Sequence, residues 1–182
     1  MSITEEQRFI SFIFIRSCPV DVLLTEGRPC NGIYIWKVHH FFQHRQNAID
    51  GLITALFSPP IYTHFYGYKL RMKFYVNGVR SGTRKHVGLF VQMMQSDNDD
   101  ILTWPFAGRI TLSILDQSGA EFRNDISGTF LAKPSLAAFQ KPAANRVSQE
   151  YGFEEFAPVG QVCGVRYTKN DTMMLKIEIA RL

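Results

Sequence analysis

Tyr68-Lys69-Leu70-Arg71-Met72-Lys73-Phe74-Tyr75-Val76 alternates at every position. In an extended chain successive side chains point to opposite faces. Tyr68, Leu70, Met72, Phe74 and Val76 therefore share one face, and Lys69, Arg71, Lys73 and Tyr75 share the other. One buried and one wet face is the mark of antiparallel sheet. The wet face is a basic stripe with a tyrosine at its end. Asn77-Gly78 follows and predicts a tight turn.

The same alternation recurs on both sides of this stretch. Val87, Leu89, Val91 and Met93 oppose His86, Gly88, Phe90 and Gln92. That register leaves Phe90 on the polar face, and a one-residue slip buries it, so both placements stand. Ile110, Leu112 and Ile114 alternate with Arg109, Thr111 and Ser113. Near the C-terminus Met173, Leu175, Ile177 and Ile179 oppose Lys176 and Glu178. Further strands are expected over residues 33–38, 52–57 and 120–123, with a helical turn over 135–139. His39, His40 and His44, with Arg45 and Gln46, read as a polar connection. Asp97-Asn98-Asp99-Asp100 reads as a solvated loop, because it lacks the glycine and distal glutamate of an EF-hand. One-sided strands joined by turns, with little helix, predict an antiparallel β-sandwich.

A second stretch, Tyr151-Gly152-Phe153-Glu154-Glu155-Phe156, carries misplaced rings. As a strand it puts Tyr151 and Phe153 on the face of Glu155, the wet one, and Phe156 on the other. Rings without a core to fill suit an interaction site; the competing reading packs them under a loop.

The 182 residues suffice for one domain with a real core. Net charge is +4, a mild excess that does not ask for nucleic acid. Cys18, Cys30 and Cys163 are odd in number and lack CxxC spacing, which disfavours a disulfide framework or zinc site and favours reduced thiols in the cytoplasm. No apolar run approaches bilayer length, so no direct membrane insertion is expected. The histidines have no carboxylate or thiol at ligand spacing, and neither metal nor cofactor is expected. There is no phosphate loop, no GxGxxG and no nucleophile elbow, so an enzyme is not expected. Residues 1–30 hold an apolar run at 9–15, then Pro19, Gly27 and Pro29, without heptads; they read as an N-terminal extension without a coiled coil.

Asn31-Gly32-Ile33-Tyr34-Ile35-Trp36-Lys37, Phe57-Ser58-Pro59 with Tyr62-Thr63, and Gly67-Tyr68-Lys69-Leu70 resemble the TRAF domain (TRAF-C/MATH). This is the C-terminal module of the tumour necrosis factor receptor-associated factors. Trp104-Pro105-Phe106, Leu115-Asp116-Gln117, Phe139-Gln140 with Pro142, and Asp171-Thr172 continue the match in order, over residues 31–182. The stretch from Ala132-Lys133-Pro134 to Phe156 is most similar to the family's sixth mammalian member, which serves interleukin-1/Toll-type signalling.

The resemblance implies an eight-stranded antiparallel sandwich that binds tail peptides of receptors and adaptors in innate-immune and TNF-receptor-type signalling. The peptide adds as a strand at a sheet edge, and its motif is Pro-x-Glu-x-x-(aromatic or acidic). By resemblance the glutamate takes hydrogen bonds from the backbone N–H groups of Ala137 and Ala138. Phe90, Phe130, Tyr151 and Phe153, with Gly152 between the last two, line the proline pocket. Lys73 and Phe57 meet the last position, with Tyr75 beside Lys73.

There are departures. Lys73 and Phe57 stand where the sixth member has Arg and His. Lys neither stacks nor forks as Arg does, so an acidic last residue is expected to be tolerated as well as an aromatic one, or better. Ala137 and Ala138 replace the serines of other members, which argues against those members' motif, as does the absence of an Asp near Val79. Family members carry a RING, zinc fingers and a trimerising coiled coil. Residues 1–30 show none, so the chain is expected to be a fragment or to lack ligase activity, and a homotrimer would be weak. The alternative function is a MATH-type substrate recogniser for a ubiquitin ligase, which prefers Ser/Thr-rich peptides. A nucleic-acid binder using Lys69, Arg71 and Lys73 ranks below both.

Overall fold

The computed structural model describes residues 28–29, 31–143 and 148–181. Strands follow in chain order as β1 (Arg28–Pro29), β2 (Ile33–His39), β3 (Leu56–Phe57), β4 (Ile61–Tyr62), β5 (Lys69–Tyr75) and β6 (His86–Met94). Then come β7 (Gly108–Ile114), β8 (Ile126–Ala132), β9 (Glu150–Pro158), β10 (Thr168–Lys169) and β11 (Thr172–Arg181). Helices α1 (Phe41–Ile49) and α2 (Val159–Val162) interrupt them, with 3-10 turns at Arg80–Gly82 and Ala137–Phe139.

The strands form two sheets. One has the order β1-β4-β5-β6-β9 with β3 also on β5; the other has β10-β11-β7-β8 with β2 also on β11. Every pairing is antiparallel except β1 with β4. The expected sandwich is therefore present. Against the eight strands expected, the described residues hold eleven: seven of at least seven residues, and β1, β3, β4 and β10 of two residues each.

The alternation of β5 decides the core as its sequence requires. Leu70, Met72, Phe74 and Val76 are at most 1% exposed and meet Val87, Leu89, Val91 and Met93 of β6. Ile110, Leu112 and Ile114 of β7 and Met173, Leu175 and Ile177 of β11 close on them from the other sheet. Each such side chain contributes about 1.5–3 kcal/mol by leaving water.

Four expectations fail locally. Residues 41–49 form α1, not a polar connection. Its sequence shows no local cap. The Phe42 N–H donates to Asp171 Oδ1 at 2.9 Å, and Phe41 alone of the helix is fully buried, stacked on Phe74 at 6.4 Å. Of residues 52–57 only Leu56–Phe57 pairs as strand. Residues 120–123 are irregular; the strand begins at Ile126, where the inward positions Ile126, Gly128, Phe130 and Ala132 include a glycine that weakens the pattern. Asp99 is buried rather than solvated. The Ser96 N–H donates to its carboxylate and the Trp104 indole N–H to its carbonyl, while Asp100 pairs with Lys141.

Candidate functional site

β9 and β8 end their respective sheets, so their facing side chains seal one open side of the sandwich. On β9, Tyr151 and Phe153 pair with Val91 and Leu89, both buried, and so point between the sheets. Phe130 of β8 meets them from across the gap, with ring centroids 5.0 Å from Tyr151 and 5.7 Å from Phe153. Gly128 makes this approach possible: a Cβ there would stand 2.7 and 2.8 Å from Phe153 Cε2 and Cζ. Phe139, fully buried, lies 5.5 Å from Tyr151 and 6.2 Å from Phe130.

The wet-face reading of Tyr151 and Phe153 is thus overturned; they are half-buried rim residues. A β-bulge is the reason. Leu89 pairs with Phe153 but Val87 with Ala157, so β9 inserts extra residues and loses its two-residue period. Phe156 consequently returns to the ring cluster, 5.5 Å from Phe153, while Glu155 is exposed.

Phe139 also places the neighbouring turn. Its carbonyl accepts from the Phe106 N–H at 2.9 Å, and its ring fixes Ala137–Phe139 against the core. Ala138 is buried and Ala137 exposed, and neither N–H donates to an acceptor among the described residues. A cleft lined by Ala137, Gln140, Pro142 and Ser148 opens beside them.

The opposite face of β9 has a different character. Gly152 pairs with Phe90, and a Cβ on it would stand 2.6 Å from Phe90 Cα, so β6 and β9 approach too closely for any side chain. Phe90 lies on the outer face, as its alternation says, yet is 3% exposed. Tyr75 packs on it edge-to-face at 5.4 Å, and a Cβ on Gly88 would meet the Phe90 ring and Val79. Tyr75, expected on the wet face, is likewise buried at 5%. The structure therefore brings Phe130, Tyr151 and Phe153 together, whereas Phe90 stands on the other face of its sheet.

Lys73 lies on this outer face, opposite Phe57 in register. The Phe57 ring, 44% exposed, sits under the Arg71 guanidinium at 4.1 Å and the Lys73 ammonium at 5.4 Å. Such contacts contribute about 0.5–2 kcal/mol. Lys73 Nζ also reaches Glu150 Oε2 at 2.7 Å, and the Tyr75 hydroxyl donates to both Glu150 oxygens at 2.9 and 3.0 Å. Burial alone would lower the Lys73 pKa; its bonds to Glu150 and Tyr75 outweigh that and hold it above the ordinary lysine value. Burial pushes the Tyr75 phenol up, opposed by Lys73, and draws the Arg71 pKa down. Arg80 stands over the group, 3.8 Å from Glu150 and 2.9 Å from Glu154, which the Ser81 hydroxyl also reaches.

Glu150, Arg80, Phe139 and Phe156 belong to this region and were not read from sequence as site residues. Glu150 shares the outer face with Gly152, but only the pairing of β9 on β6 shows that this puts it on Lys73. Elsewhere His39 bonds Thr172 and His40 faces Asp171. No cluster of three metal-ligating side chains occurs among the described residues, and none of their helices is long and apolar enough to cross a membrane.

Residues 53–176 match the TRAF/meprin MATH-domain model. The chain is 35% identical over 167 residues to TNF receptor-associated factor 6 of Rattus norvegicus, covering 91% of this chain and 32% of that protein. It is 35% identical over 156 residues to TNF receptor-associated factor 2 of Homo sapiens, covering 85% and 30%. The chain thus spans about a third of the length of these curated relatives. A solved structure of Notothenia coriiceps TRAF5 superposes with a TM-score of 0.82 at 31% identity, covering 97% of this chain and 86% of that one. With its two-sheet sandwich and its sequence in agreement, the chain belongs to the TRAF/meprin MATH-domain family.

Proposed function

We propose that the domain is an adaptor module that docks short peptides from receptor and adaptor tails, in the cytoplasm, along the outer edge of β9. The carrying observation is that edge: nine residues long, paired only with β6 among the described residues, and flanked by half-buried rings. An unpaired row of backbone donors and acceptors is a template for one more strand. The ligand is an extended Pro-x-Glu-x-x-(aromatic or acidic) segment. Its proline packs on Tyr151, Phe153 and Phe130, and its glutamate takes the N–H groups of Ala137 and Ala138. A charge-assisted bond of that kind contributes about 1.5–3 kcal/mol, with no side-chain entropy to lose on the donor side. The last position lies over Phe57 and Lys73.

Nothing in this reading asks the domain to catalyse; ligase chemistry in such a protein would belong to other segments. Affinity per site is modest, about −5 to −8 kcal/mol, because the peptide must be ordered on binding. Copies of the domain joined in an oligomer gain by avidity. Calorimetric titration of the chain with a Pro-x-Glu-x-x-Phe peptide, beside the same peptide with Glu→Ala, tests this. Binding abolished by the alanine supports the assignment; no heat from either peptide sinks the motif, and a Ser/Thr-rich peptide array then asks for the substrate-recogniser role instead.

A further inference from the structure

The proposed docking groove contains a cation whose charge is already spent. Lys73, at the last peptide position, is joined to Glu150 at 2.7 Å with only 19% and 13% of the two side chains exposed. Both Glu150 oxygens also accept from the Tyr75 hydroxyl. Arg80, the next cation, faces Glu150 and is held at 2.9 Å by Glu154, which Ser81 anchors. Two cations thus meet two anions on this face. An incoming carboxylate finds these two cations already compensated, and in a half-buried setting its approach to Glu150 is repelled. What the position does offer is the open ring of Phe57, with the Arg71 guanidinium on its face; Arg71 bonds the neutral Gln92 amide oxygen and pairs with no acid among the described residues, so it keeps its charge there.

We propose that Glu150 is the residue that tunes specificity at the last peptide position: by neutralising Lys73 from within the chain, it leaves Arg71 as the only cation on the Phe57 ring with no acid partner among the described residues, and shifts the position away from an acidic residue towards an uncharged aromatic one. This rests on the peptide-docking reading above and narrows it, since Lys73 alone would favour an acid. Glu150 acts on the peptide through Lys73, so it is a positioning residue, and its signature is an exchange of preference rather than a loss of binding. It lies at the first residue of β9, where a substitution to glutamine keeps the side-chain shape and leaves the strand pairing with Gln92 in place.

The test is a matrix of two peptides, ending in Phe and in Glu, against the native chain and Glu150→Gln, by calorimetry. The native chain is expected to prefer the Phe peptide by about tenfold or more. In Glu150→Gln the Glu peptide gains about tenfold or more, while the Phe peptide changes by less than about threefold. In the native chain, raising salt from about 50 to about 500 mM should narrow the discrimination, because screening weakens the repulsion; this arm needs no variant. Equal affinity of the native chain for both peptides, or an unchanged ratio in Glu150→Gln, overturns the role of Glu150 and leaves peptide docking standing. Absence of binding by either peptide to either protein overturns both readings.

Discussion

The two faces of β9 differ in what they leave unfinished. On the inner face Tyr151 and Phe153 are half-buried against Phe130 and Phe139, with apolar surface still open to solvent. On the outer face Glu150 and Glu154 have consumed the cations of Lys73 and Arg80, and Tyr75 and Phe90 are covered. Apolar attraction is non-directional, so the inner rim still has affinity to offer. Ion pairs saturate, so the outer face retains selectivity but little pull. One strand can hold both because its period is two, and the bulge at Val87/Leu89 ends the arrangement after Phe153.

Gly152→Ala breaks the comparison altogether. Its Cβ would press on the Leu89 carbonyl and Phe90 Cα, so β6 and β9 must separate and both faces fail. We expect a loss of about 3 kcal/mol in chemical denaturation. Phe153→Ala removes the inner rim alone. Being half-buried, it should cost about 2 kcal/mol, less than a core phenylalanine, and reduce peptide affinity by about tenfold while leaving the Phe-over-Glu preference intact. Lys73→Ala touches only the outer face. Glu150 keeps the Tyr75 hydroxyl and Arg80, so the expected loss is about 1 kcal/mol, read from thermal melts.

Acid sharpens the contrast further. The Ser81 hydroxyl, with support from Arg80, holds the Glu154 carboxyl below the usual glutamate range against the opposing effect of desolvation. Its folded pKa is depressed, so its contribution is present above the unfolded value, about 4.3, and is lost as pH falls through the folded one. Amide exchange across residues 79–85 should accelerate below about pH 4 while residues 128–130 are unchanged. Equal acceleration in both segments would mean that the outer ion pairs do not hold the turn at Arg80–Gly82.

The sequence made the sandwich legible wherever alternation ran unbroken: β5, β6, β7 and β11 were all readable from their side chains. It hid α1, whose cap lies 129 residues away, and β8, where Gly128 leaves a gap filled by a ring from another sheet. In the candidate site, the stretch 137–156 was legible as unusual because it carried rings in a charged context, whereas the register of Phe57 opposite Lys73 came only from the pairing of β3 with β5. The direction of Tyr151 and Phe153 was not legible, because the bulge that turns Glu155 outward belongs to the pairing of β9 with β6. Glu150 was invisible for the same reason: a charge beside a strand shows its partner only when the neighbouring strand is in register.

The cap on α1 ties two distant segments of the domain in time as well as in space. β2 pairs only with β11 among the described strands, and α1 takes its first bonds from Asp171. On a ribosome, residues 33–49 emerge well before their partners at 168–181 and can only wait for them. The domain therefore closes late, by a long-range zipper whose loop-closure cost is met only once residues 168–181 have emerged. Until then β2 travels as an unmatched edge, the period in which a nascent chain most needs a chaperone.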